Sequence, residues 1–198
     1  MTSQYDDLIR GMLAKSQEAA RRKCFISYYH GDQDAVDKFV GTFDDVMIAK
    51  AIGVSEEDDY IDSDNAEYVM SRIRQDVLED STVTICLIGE CTHSRRYIDW
   101  ELKASLRQGE DYDPNGLIGI LLPHMGNSGY LPQRFKENWA KDESQAYAIY
   151  RTYPASSAQL KGWIEEAYSR RTTQAKYISN SRDMMKYNAK CLVHGVTH

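Results

Sequence analysis

The chain has no long hydrophobic run and no excess of positive charge, and these two absences remove whole classes of function. No apolar stretch approaches the ~18 residues that a bilayer-spanning helix needs. The opening MTSQYDDLIRGML lacks the apolar core of a secretion signal, so a cytoplasmic protein with no membrane partner is expected. Lys and Arg number 24 against 30 Asp and Glu, a net charge of −6, which argues against a cationic footprint for nucleic acid. The four cysteines form no C-x-x-C pair, and their spacing suggests no disulfide framework. Cys86, Cys91 and His93 are near one another in sequence, but Cys86 alternates with Ile85 and Leu87 and reads as a small core residue. No metal site is expected.

Three phosphate- and acyl-transfer signatures are also missing. There is no G-x-G-x-x-G after the first predicted strand, no G-x-x-x-x-G-K-[ST], and no G-x-S-x-G. Dehydrogenase-type dinucleotide sites, P-loop enzymes and esterases of the α/β-hydrolase kind are thereby disfavoured. No internal repeat or low-complexity segment is present.

What remains is a chain of 198 residues, 42% hydrophobic and 27% charged, the composition of one globular domain with terminal additions. Tyr5, Leu8, Ile9, Met12 and Leu13 recur at helical spacing, predicting an amphipathic N-terminal helix within residues 1–22. Cys24–Tyr29 reads as a first strand, followed by a helix capped by Asp32 or Asp34 and running to about Phe43. Val46–Val54 is ambiguous between strand and helix. The acidic run Glu56–Asp59 reads as a solvated loop, and Tyr60-Ile61 as a short strand leading to Asp62. A helix with Val69, Ile73, Val77 and Leu78 inward follows, then a strand over Thr82–Ile88 and a helix from Arg95 or Arg96 to about Gln108. Leu117–Leu122 reads as a buried strand, His124–Asp142 as loop-rich, Ala146–Tyr150 as an edge strand, and a helix capped by Ser156 or Ser157 runs to about Arg171. Residues 172–198 are weakly patterned and are treated as a C-terminal extension.

Short apolar strands alternating with amphipathic helices imply an α/β domain over residues 23–171. Its mainly parallel sheet is doubly wound in the flavodoxin-like manner, with helices on both faces. Receiver domains share that topology but need an acidic cluster at the end of the first strand. Here that strand ends in Ser27-Tyr28-Tyr29-His30, which is polar and aromatic. Such residues can stack on a nucleoside and hydrogen-bond to it without repelling its phosphates. Plainer roles are open to each: Tyr28 shares the face of Ile26, Ser27 can satisfy a loop amide, and His30 can be an ordinary surface residue.

Glu101 stands out on its helix. Ile98, Leu102, Ser105 and Leu106 define an apolar stripe, and Glu101 lies at its edge. The residues three and four positions away are Tyr97, Ile98, Ala104 and Ser105, none of them basic. Neighbouring Asp99, by contrast, has Lys103 at the i,i+4 spacing that stabilises a helix by about 0.3 kcal/mol. A carboxylate half in the core, where a buried strand leads through a loop into a helix, is a candidate catalytic group.

At these residues a resemblance emerges. C-F-I-S-Y-Y-H-G-D (24–32) resembles the first-strand motif of TIR domains, and T-V-T-I-C-L-I-G…T-H-S-R-R-Y-I-D-W-E-L resembles their third strand, loop and third helix. In that family an S-x-W-C-x-x-E type signature carries the catalytic glutamate, which corresponds to Glu101; Tyr97-Ile98 stands where Trp-Cys is common. Arg95-Arg96-Tyr97-Ile98-Asp99-Trp100-Glu101-Leu102 is closer to the TIR-like ThsB group of bacterial Thoeris antiphage defence. The resemblance spans residues 23–122.

It implies an NAD-consuming enzyme in which Glu101 is catalytic and Ser27, Tyr28, His30, Asp62 and Tyr97 bind substrate. NAD is then a substrate and no cofactor is required. The implied product is a cyclic or otherwise modified ADP-ribose that activates a separate effector, with self-association during activity. A non-catalytic TIR-like interaction module is the other class that the resemblance allows.

Overall fold

The computed structural model describes residues 21–50, 68, 72, 73, 78, 80–109 and 113–197. The expected N-terminal helix, the Glu56–Asp59 loop, Tyr60-Ile61 and Asp62 lie outside the described residues.

Among the described residues, β1 (Arg22–Ser27), β2 (Met47–Lys50), β3 (Val83–Ile88), β4 (Gly116–Leu121) and β5 (Ile149–Arg151) form one sheet. Their order is β2-β1-β3-β4-β5, and every adjacent pair is parallel. The interleaved helices are α1 (Gln33–Thr42), α2 (Arg96–Ser105), α3 (Gln133–Asn138) and α4 (Ser157–Thr173). This is the flavodoxin-like order, whose connections reverse direction between β1 and β3; ligands of such sheets sit at that reversal, beyond the carboxyl ends of the strands.

Strand alternation sorts the core into two faces. Ile26, Ile85, Leu87, Ile118 and Ile120 pack with Val36 and Phe39 of α1 and Leu160, Ile164 and Ala167 of α4. Cys86, Ile88, Leu117 and Leu121 face the other way, against Ile98 and Leu102 of α2 and Phe135 of α3. Phe25 joins Trp100, Ala104, Ile73 and Leu78 in a third cluster, so two of the expected inward residues of the 69–78 helix are buried. Gly116 lets α4 approach β4 closely: a Cβ there would overlap the carbonyl of Ala167. Ser156 caps α4, its hydroxyl accepting from the Gln159 amide at 3.3 Å.

Several local expectations need correction. The strand after Val46 is resolved in favour of β over Met47–Lys50, because it pairs with β1. The 124–142 stretch contains α3, whose buried residues are Arg134, Phe135 and Asn138. Asp99 is not held by Lys103. It is buried, and its carboxylate accepts from Arg134 Nε at 2.9 Å, Arg134 Nη2 at 3.2 Å and the Met185 amide at 2.9 Å. Lys103 instead donates to the Arg182 carbonyl at 2.7 Å. The local i,i+4 rule was outweighed because a buried bidentate guanidinium partner is stronger than a solvated ammonium.

Arg134 fastens the C-terminal extension to the domain. Wholly buried, it also donates to Asn180 Oδ1 at 3.1 Å and to the carbonyls of Arg182 and Asp183, both at 3.1 Å. Residues 178–191 then run along α2 as a strap. The Trp100 indole donates to the Met185 carbonyl at 2.8 Å, the Arg96 amide to Asn188 Oδ1 at 2.9 Å, and the Ala189 amide to the Ser94 carbonyl at 2.8 Å. Replacing Arg134 with Met leaves Asp99 buried without its counter-ion, so Arg134→Met is expected to cost about 3–5 kcal/mol in chemical denaturation. Adding Asp99→Asn should recover part of that loss. A single-variant cost within 0.5 kcal/mol of zero, roughly the effect of a surface change, would show that the strap is held elsewhere.

Candidate active site

Ser27 is the last residue of β1, and alternation turns its side chain toward α2, opposite Cys86 in the register with β3. One step away on α2, Glu101 Oε2 accepts a hydrogen bond from Ser27 Oγ at 2.7 Å. The helix places Ile98, Leu102, Ser105 and Leu106 in the core as the stripe predicted, and it carries Glu101 in with them, only 7% exposed. The two residues meet at the β1/β3 reversal, where this sheet order leaves a crevice.

The environment of Glu101 is electrostatically unusual. Burial pushes its carboxyl up from 4.5 to about 8, and the Ser27 hydroxyl is the resolved influence that pulls it back. No cation among the described residues is resolved as offsetting the burial. The same seclusion drives the Cys86 thiol far up, with the Glu101 charge adding to the effect of burial. Burial therefore favours the protonated form of Glu101 near neutral pH.

A second polar group lies at the same end of the sheet. Asp32 stands just before α1, and its carboxylate abuts Gly89 at the end of β3, where a Cβ would overlap it. Burial raises the Asp32 carboxyl, and His124, whose Nε2 lies 3.6 Å from Asp32 Oδ1, works against that rise. Arg95, 3% exposed, lays its guanidinium 3.7 Å from the centre of the Tyr29 ring. Of the two candidate caps, Asp32 and Asp34, Asp32 holds the N-cap position, yet its side chain makes no capping bond. The Arg95-Arg96 doublet was visible as a motif, but nothing in it distinguished the buried Arg95 from the outer Arg96.

Of the expected site residues, Ser27 and Glu101 are brought into direct contact. Tyr28 is half-buried against the Ile26 face of the core, and its hydroxyl donates to Gln33 Oε1 at 2.7 Å. Burial raises its pKa and the Glu101 charge adds to that rise, so it lies within electrostatic reach of the glutamate. His30 is exposed at the rim, its ring edge-on to Tyr29 at 4.6 Å. Tyr97 turns to the flank of α2, edge-on to Trp100 at 5.3 Å, and accepts from Arg96 Nη2 at 3.0 Å. Asp62 lies outside the described residues.

The cysteine expectation fails. Cys91, in the loop after β3, is joined to Cys191 of the C-terminal extension with Cα atoms 5.3 Å apart. A separation of 100 residues carries no pairing signal; only the path of the strap brings the two together. Cys24 and Cys86 are buried free thiols, as core residues should be.

A flavodoxin-like sheet with a secluded glutamate over its β1/β3 reversal defines a domain of the TIR-like class. Residues 25–127, just over half of the chain, match the family described as Thoeris protein ThsB, TIR-like domain, and the chain belongs to that family. No curated protein matches the chain at a significant level.

The raised pKa makes stability depend on pH. The folded state holds the Glu101 proton more tightly than the unfolded state, so its contribution is intact below about 4.5 and declines as pH rises toward about 8. Glu101→Gln, which keeps the shape without the titration, should therefore gain in Tm over wild type between pH 5 and 8 and level off above. A pH-independent difference between the two proteins would mean that the carboxyl is not secluded.

Proposed function

We propose that this protein consumes NAD, with Glu101 stabilising the transition state for cleavage of the nicotinamide–ribose bond. The observation that carries the reading is the Ser27–Glu101 contact, a secluded carboxyl at the ligand-binding reversal of the sheet. NAD brings a cationic pyridinium ring, a positive charge that no described residue is resolved as supplying to Glu101. Its approach favours ionisation of Glu101, releasing the proton that burial retains.

As the C1′–N bond breaks, its electron pair returns to the ring nitrogen, and nicotinamide leaves as a neutral molecule. No acid is needed to protonate it. Positive charge then grows on the ribose, as in glycoside hydrolysis, and a carboxylate in a dry site is worth more there than in water. Ser27 holds Glu101 Oε2 toward the end of β1, and the other carboxylate oxygen is available to ribose hydroxyls. The ribosyl carbon is then taken by water or by a nucleophile from the adenosine half of the same molecule. In the second case Tyr28 and Tyr29, at the carboxyl end of β1, are the rings against which the adenosine folds back. The product is an ADP-ribose derivative that serves as a messenger to a separate effector in antiphage defence. Self-association accompanies activity.

Nicotinamide release from NAD by purified protein tests the reading, and Glu101→Gln should lower kcat by about 10²–10³-fold or more. Equal turnover by both proteins would remove Glu101 from the reaction, whereas partner binding and defence unaffected by Glu101→Gln would favour the interaction-module reading. Because the ionised carboxylate is the active form, kcat/KM should rise with pH through about 8 and then level. Ser27→Ala removes the hydrogen bond that lowers the Glu101 pKa, so the rising limb should move to higher pH. An unmoved limb in that variant would assign the titration to another group.

A further inference from the structure

We propose that Cys91, Cys191 and His194 form a binding site for a zinc-class divalent cation when the Cys91–Cys191 disulfide is reduced. One ring nitrogen of His194 and the two sulfurs all lie within 4.8 Å of one another. A disulfide needs only its two sulfurs; the third ligand is what singles out this cluster. Cys191 and His194 stand in a tight turn as Cys-x-x-His. The Cys191 amide donates to the Val196 carbonyl at 2.8 Å and the Gly195 amide to the Cys191 carbonyl at 2.7 Å. Gly195 closes the turn with φ of +72°, a conformation that side chains rarely adopt.

The surroundings complete the picture of a held ligand set. Glu90 Oε2 is 2.7 Å from His194 Nε2, the kind of carboxylate–imidazole contact that fixes the ring of a metal-bound histidine. The Leu192 amide donates to His93 Nε2 at 3.0 Å, fixing the turn to the loop that carries Cys91. Two thiolates and an imidazole are the soft donor set that selects zinc over magnesium or calcium. The His194 side chain is half-exposed, which provides an entry path. Zinc-bound thiolates stand about 3.8 Å apart, given Zn–S bonds of about 2.3 Å and tetrahedral angles. Disulfide and metal are therefore alternative states of one site.

Either state ties the strap to the loop leading into α2, the helix of Glu101. The redox step is balanced with a phosphine as reductant: phosphine, disulfide and water give phosphine oxide and two thiols. The phosphine supplies the two electrons and takes the oxygen, and the protons of water go to the two sulfurs. Metal binding then displaces the thiol protons.

The full chain, reduced with a water-soluble phosphine and handled anaerobically, is titrated with cobalt(II) and then zinc(II). One cobalt per chain is expected, with the near-ultraviolet thiolate charge-transfer band and visible bands of a tetrahedral site, both erased by one equivalent of zinc. Cys191→Ser should abolish the charge-transfer signature. His194→Ala, which alters a half-exposed side chain and leaves the core intact, should weaken binding by about tenfold or more. The oxidised protein should bind neither ion at this site. Absence of stoichiometric cobalt binding by the reduced wild type, or an unchanged spectrum in His194→Ala, would overturn the proposal. The test reads metal directly and does not depend on NAD turnover.

Discussion

A carboxyl group pressed against a sheet, with no cation among the described residues resolved as balancing it, favours keeping its proton until a positive charge arrives. That constraint organises this protein. Glu101 is carried into the interior by a helix whose stripe of Ile98, Leu102 and Leu106 is apolar, and the Ser27 hydroxyl is the neutral group that meets it. In a folded domain such a placement costs stability as soon as the group ionises. It is useful where ionisation is coupled to ligand binding, because the ligand's charge then relieves the cost.

Everything around the glutamate serves to keep α2 in position. On its inner side, Ile98 and Leu102 bury against Cys86, Ile88 and Leu117. On its outer side, the Asp99–Arg134 pair and the strap hydrogen bonds hold it from above. A helix gripped on both sides cannot roll to let Glu101 reach solvent, so the seclusion of the carboxyl is a property of packing. The Cys91–Cys191 bond extends that grip to the loop before the helix. Asp32, Arg95 and His124 lie beside that same loop, placing polar groups next to the site without touching the glutamate in any described contact.

Much of the domain was legible along the chain, for a simple reason. Buried parallel strands are continuous apolar runs, so Thr82–Ile88 and Leu117–Leu122 stood out, within a residue of the observed Val83–Ile88 and Gly116–Leu121, and the 3.6-residue stripe of α2 identified both its inward face and the anomalous Glu101. Cap chemistry placed the start of α4 at Ser156 or Ser157, and Ser156 is the cap. What failed were inferences that took the nearest partner in sequence for the nearest partner in space. Asp99 had a suitable lysine four residues on, yet its carboxylate is claimed by Arg134 from α3. Asp32 looked like a cap and is a neighbour of Gly89.

Taken alone, the order of residues determined the alternation of strands and helices, the faces that would be buried, and the presence of one acidic residue where a core residue should be. These are periodic, local properties, readable wherever the pattern repeats. Only the tertiary structure decided that Ser27 is the partner of Glu101, that Arg134 anchors the strap, and that cysteines 100 residues apart are neighbours. Contacts of that kind depend on where the chain travels after each element ends, and no local spacing records that path.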